Sequence, residues 1–211
     1  MLTKKIYTVY ASGGLSEALE YGLTRIKKAI YYKSDTLYLY LERAKYENKP
    51  KAHEKGLEFR VIKTAHEIKE LHFARLELLP YVDWISDESE AIVGFYDGAP
   101  VSFSWLHYKA APDQSINLKP GQCWHGPSFV KREMRRKGIN RAQKAFLIEM
   151  ADKNSTCFVT STNNKNVPSI KTNLGAGFKK GAIVTRYFGL LTRKRTQVIF
   201  LGSGSSILEF K

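Results

Sequence analysis

The residues best placed to do chemistry lie in one basic turn, Lys131-Arg132-Glu133-Met134-Arg135-Arg136-Lys137-Gly138-Ile139-Asn140. An apolar, strand-like run, Trp124 to Val130, precedes it, and an amphipathic helical pattern, Ile139 to Ala151, follows. A glycine between strand and helix suits phosphate. The first N–H groups of a helix have no intrahelical acceptor, and the helix dipole adds positive potential there. Gly138 lacks the Cβ that would hold a phosphate off the backbone, and Arg135, Arg136 and Lys137 add charge. Arg135-x-x-Gly138-x-Asn140 is neither a Walker loop nor a dinucleotide fingerprint, which need more glycines in another register.

A second segment, Asn166-Val167-Pro168-Ser169 through Gly177-Phe178, reads as a short helix. Pro168 suits its first turn and Gly177 its stop. Together the two segments resemble the GNAT superfamily of acetyl-CoA-dependent N-acyltransferases. That family's pyrophosphate loop has Arg or Gln, two residues, Gly, one residue, then Gly or Ala. Arg135 and Gly138 match, and Asn140 departs. An Asn with Ser or Ala three residues on, then Gly-Phe, is also a family signature, matched by Asn166, Ser169 and Gly177-Phe178. Many members carry a Tyr in the short helix to protonate the leaving thiolate, and Asn173 stands there instead.

The resemblance implies an acetyl or other short acyl group moved from coenzyme A to a primary amine. It implies a coenzyme site at Phe129, Val130, Arg135, Arg136, Lys137, Gly138, Ile139, Asn140, Asn166 and Ser169, with oxyanion donors at Phe129 and Val130 beside a strand bulge. His125, on the same strand, is the candidate base, because histidine ordinarily titrates near neutrality. His107 and Glu133 are the weaker choices. Tyr187, water or lost turnover answers for the missing Tyr. The acceptor is less constrained. A basic, Tyr-rich leading segment resembles acyltransferases that act on amino sugars of bacterial surface polysaccharides, and Tyr81, Trp84, Trp105 and Trp124 are candidate cleft aromatics.

These residues need elements to position them. Leu57 to Ile62 reads as a strand, and Thr64 with Glu67 forms a capping box for a helix over Ala65 to Leu79, ended by Pro80. Ala91 to Tyr96 and Val101 to Tyr108 flank Asp97-Gly98, a hairpin signal. Gln122 to Lys131 and Thr156 to Ser161 are further strands, and Phe178 to Leu190 with Thr196 to Leu201 is a closing pair. Ahead of them, Ser16 to Ile30 has helical spacing and Thr36 to Leu41 alternates like a strand. The expected fold is an α/β mixed sheet with helices on both faces, GNAT-like over residues 56–211, with an N-terminal extension over residues 1–55 ending in a polar linker.

At 211 residues the chain suits one domain with an appendage. The formal net charge of +14 favours an anionic partner: nucleotide cofactor, nucleic acid or anionic membrane surface. The lysines are dispersed, so charge alone does not select among them. Nucleic acid ranks low as a partner of the acyltransferase. A peripheral contact of the leading segment with anionic lipid stays open, as does a non-catalytic module that binds coenzyme A, RNA or lipid. Two cysteines, Cys123 and Cys157, without metal-ligand spacing point to a reduced, cytoplasmic setting and no metal site. No nucleophile-elbow spacing is present.

Overall fold

The computed structural model describes residues 31–46, 56–71, 84–109, 115–189 and 192–211. The helix expected over Ser16 to Ile30, the linker before Gly56, and Pro80 and Tyr81 lie outside these residues. In chain order the elements are β1 (Tyr31–Glu42), β2 (Leu57–Ile62), α1 (Ala65–Glu70), β3 (Ser89–Tyr96), β4 (Ala99–His107), β5 (Ile116–Asn117) and β6 (Gln122–Val130). Then follow α2 (Ile139–Met150), β7 (Cys157–Asn163), α3 (Val167–Gly175), β8 (Lys179–Gly189), β9 (Thr192–Phe200), α4 (Gly204–Ile207) and β10 (Glu209–Phe210). Eight strands run in the order β2-β3-β4-β6-β7-β1-β8-β9, and β5 pairs with β10. β1 takes a place between β7 and β8, far from its neighbours in sequence. β9 starts at Thr192, earlier than expected, so the basic run Arg193-Lys194-Arg195 is strand and not connection.

Two compact units divide the chain: Leu37–Ala182 with Phe200–Lys211, and Met1–Thr36 with Ile183–Ile199. The larger unit holds the antiparallel run β2-β3-β4-β6 and the parallel pair β6-β7. Asp97 and Gly98 have φ of 48° and 80°, the double positive φ that a two-residue hairpin turn requires. Thr64 and Glu67 cap α1 reciprocally: Thr64 Oγ1 accepts from Glu67 N at 3.2 Å, and Glu67 Oε2 accepts from Thr64 N at 3.0 Å.

Strand alternation sorts the core onto two faces. One face gathers Ile62, Ala91, Val93, Phe95, Phe103 and Trp105 around Ile68 of α1. The other joins Leu57, Val101 and Val130 to Ile139 of α2. A register shift between Gly94 and Phe95 leaves Val101 without a partner on β3, which lets it join the α2 face. In the smaller unit, Thr185 Oγ1 donates to Asp35 Oδ1 at 2.7 Å.

Candidate active site

The basic turn leaves β6 where Lys131 N donates to Val101 O at 2.8 Å. A short 3-10 turn, Arg132–Met134, follows. Arg136 and Gly138 then adopt positive φ, 69° and 77°. Gly138 is the N-cap of α2, with no side-chain cap and no acidic residue in the first turn. The first helical bond runs from Ala142 N to Gly138 O at 3.0 Å, so the amides before Ala142 have no intrahelical acceptor. A Cβ built on Gly138 meets no atom within 4 Å, so the space over these amides is open. Arg136, Lys137 and Gly138 are exposed, and Lys137 Nζ lies 5.3 Å from the Tyr96 ring centroid. Ile139 differs: it is 1% exposed within the core, so only its backbone can meet a ligand.

Arg135 turns back to the strand. Its Nε donates to Val130 O at 3.0 Å, and its guanidinium carbon stands 5.9 Å from the Phe129 ring centroid. The ladder explains the geometry. Backbone groups in an antiparallel pair point alternately toward and away from the partner strand. Lys131 bonds across to Val101, so Phe129 also faces β4, in register with Phe103, while Ser128 and Val130 turn away. On that side β6 has lost its neighbour: its register with β7 ends at Trp124↔Val159. Val130, rather than Phe129, therefore presents its N–H to the gap beside β6, its C=O being taken by Arg135 Nε.

The β4–β6 register shifts between Ser104↔Ser128 and Leu106↔His125, so β6 has one extra residue at Gly126-Pro127, joined by a cis peptide. This bulge has a consequence for side chains. Positions 125 and 128 differ by an odd number and would face opposite sides of a regular strand. The insertion puts both on the α2 face, against Ser104. His125 Nε2 is 2.8 Å from Ser104 Oγ and 3.1 Å from Ser128 Oγ, and the two hydroxyls are 2.9 Å apart. Behind the ring, Lys144 Nζ lies 3.4 Å from His125 Nδ1 and 5.8 Å from the Phe178 ring centroid. His125 and Lys144 are 1% and 4% exposed, whereas Ser128 reaches solvent. Burial, with the neighbouring Lys144 charge adding to it, holds the His125 pKa well below the ordinary value. The expected titration near neutrality therefore does not belong to His125. Burial pulls Lys144 down to about 7 instead.

Asn166 caps α3, its Oδ1 accepting from Ser169 N at 3.2 Å, with Pro168 in the first turn. Asn140 and Asn173, where the chain departs from the family pattern, share a feature: each has a buried Oδ1 without a donor among the described residues. Tyr187 lies on β8 in the smaller unit, half-buried, with Lys33 Nζ 5.5 Å from its ring centroid. His107 is buried against Trp84 and Trp105, and desolvation lowers its pKa to about 4. Glu133 is exposed and pairs with Lys131 at 3.6 Å. Trp105 and Trp124, expected as cleft aromatics, are core side chains at 0% and 6% exposure.

Sequence reasoning passed over Ser104, Ser128 and Lys144. A glycine and a proline inside a strand-like run do mark a bulge. A lysine among the apolar positions of the α2 pattern was the second available signal.

No family model and no curated protein matches this sequence. Solved structures match it in fold. A conserved protein of unknown function from Staphylococcus epidermidis is 12% identical with a TM-score of 0.54, over 78% of this chain and 64% of that one. A GCN5-related N-acetyltransferase from Kribbella flavida is 15% identical with a TM-score of 0.52, over 86% and 65%. A tandem GNAT protein from the clavulanic acid biosynthesis pathway is 14% identical with a TM-score of 0.52, over 76% and 55%. The matches span under two thirds of each of those chains. The mixed α/β fold is that of the GNAT N-acetyltransferases.

Proposed function

We propose that the protein is a coenzyme A-dependent N-acyltransferase that moves an acetyl or similarly short acyl group to a primary amine. One observation carries the reading: the open, uncapped start of α2 at Gly138 adjoins the edge of β6 that β7 leaves unpaired beyond Trp124. The first suits a diphosphate. The second suits an amide-bearing chain that adds alongside a strand, as the pantetheine arm does.

In this reading the first-turn amides of α2, with Arg136 and Lys137, hold the diphosphate. Arg135 fixes the turn to Val130 and adds charge. Bound acetyl-CoA supplies an activated thioester carbonyl. The Val130 N–H faces the gap where negative charge builds on the carbonyl oxygen, and a donor placed there lowers the barrier. Asn166 holds the start of α3, where it and Ser169 are the proposed contacts of the arm. The network at His125 receives the amine proton, and water is the proposed donor to the departing thiolate. An amino sugar is the proposed acceptor. Among the described residues no helix is long and apolar enough to cross a membrane, and a cytoplasmic site of action fits the acyl donor.

Calorimetric titration with acetyl-CoA, followed by thiol release with glucosamine, tests the reading. Saturable binding and amine-dependent thiol release are expected. Absence of binding, with salt-sensitive RNA binding in its place, overturns it in favour of a binding module.

A further inference from the structure

The buried lysine behind His125 lacks a structural explanation. An ammonium in a protein interior is costly unless an anion or several acceptors compensate it. Among the described residues no carboxylate shifts Lys144 or His125, and burial alone accounts for the lysine's displacement. Among the described residues the groups that face the pair are Ser104 from β4, Ser128 from β6 and the Phe178 ring ahead of β8. On its own helix, Gln143 is turned to Ile92 O at 3.0 Å. This leaves one continuous polar line, Ser128 Oγ–His125 Nε2 at 3.1 Å and His125 Nδ1–Lys144 Nζ at 3.4 Å. Ser128 is its exposed end, on the unpaired side of β6.

We infer that Ser128, His125 and Lys144 form a proton relay that takes the proton of the attacking amine and delivers it to Lys144 Nζ. The inference rests on the acyltransferase reading. Lysine without its proton accepts from His125 Nδ1–H, which leaves Nε2 as an acceptor for Ser128 Oγ–H. As the amine bonds to the acyl carbon, its N–H bond breaks toward Ser128 Oγ. The Ser128 proton passes to His125 Nε2, the Nδ1 proton passes to Lys144, and a new N–H bond forms there. Three hops move one proton and leave the serine and histidine neutral. Protonated Lys144 instead donates to Nδ1, which fixes the histidine proton on Nε2 and closes the line until the proton returns to solvent through Ser128. Ser104, within 2.8 Å of Nε2 and 2.9 Å of Ser128 Oγ, holds the hydroxyl in place. Burial keeps both lysine forms populated near neutral pH, as the line requires. Ser128 touches the substrate; His125 and Lys144 act through it as positioning and relay groups.

The test has two arms on the full-length protein. Long-range 1H–15N correlation of the histidine rings reads the tautomer. His125 is expected to pass from Nε2–H to Nδ1–H as pH rises through about 7, and Lys144→Met removes the transition. With acetyl-CoA and glucosamine as probes, kcat is expected to rise over the same range. Lys144→Met and Ser128→Ala should each lower kcat by about 10²-fold or more and flatten the rise, with KM for acetyl-CoA unchanged. Lys144→Arg keeps the charge, cannot accept a proton, and should be equally impaired. A ring that does not switch, or a Lys144→Met profile that keeps the wild-type rise, overturns the relay alone. Wild-type protein that binds no acetyl-CoA overturns the acyltransferase reading and the relay with it.

Discussion

Replacing Gly138 by Asp separates coenzyme binding from folding. The residue has φ of 77°, and a Cβ there meets nothing within 4 Å. Strain is then confined to the backbone, about 1 kcal/mol for a left-handed non-glycine residue, and less for Asp. For a chain of this size that lowers Tm by about 2–4 °C. The effect on the ligand is larger. A carboxylate about 5 Å from a diphosphate charge repels it by about 3 kcal/mol at an effective dielectric constant of about 20. That corresponds to an affinity loss of about 150-fold. Gly138→Ala carries the same strain without the charge and should lose less than about 10-fold. Calorimetric titration of acetyl-CoA into wild type, Gly138→Asp, Gly138→Ala and Arg136→Ala, beside their thermal unfolding, checks both sides. If Gly138→Asp binds like wild type while Arg136→Ala also does, the diphosphate does not sit on this turn. If Gly138→Asp unfolds, the open-space argument fails.

His107 contributes a pH dependence of stability. Its pKa is lowered from 6.5 to about 4, so between those values the unfolded chain takes up a proton that the folded chain refuses. Stability is full above 6.5 and falls by about 3 kcal/mol as pH drops through the window; His107→Phe should flatten this part of a urea-unfolding series. Lys144 acts in the same direction at higher pH, losing stability as pH falls from 10.5 through about 7. Lys144→Met removes a buried charge in favour of an apolar chain of similar length, and should leave stability at neutral pH unchanged or raise it by about 1–4 kcal/mol, read by thermal unfolding. Asn166→Ala deletes the cap on Ser169 N and should cost about 1 kcal/mol in the same assay.

Features that depend on a few adjacent residues were legible in the sequence. Asp97-Gly98 fixes a hairpin because few other pairs tolerate positive φ twice, and Thr64 with Glu67 fixes a helix start. Asn166 and Pro168 did the same for α3. Nonlocal features were not. Nothing in Tyr31–Glu42 says that β1 stands between β7 and β8, because strand order is decided by the whole sheet. The pairing of β5 with β10 rests on two residues each and leaves no periodic trace. The site shows the same division. The basic turn and Asn166 were readable as a pattern. The choice of Val130 over Phe129 depends on which ladder bonds are made. The meeting of His125 with Ser128 depends on how many residues the bulge inserts, and Lys144 becomes informative only once α2 is laid against that strand.

The central claim is that coenzyme A lies between the start of α2 and the open edge of β6. A crystal structure of the protein with coenzyme A tests it most directly. The account predicts diphosphate oxygens at hydrogen-bond distance, about 3 Å, from the first-turn amides of α2, with the pantetheine arm running beside Ser128 to Val130. Coenzyme A bound elsewhere, or no complex at saturating ligand, would contradict it.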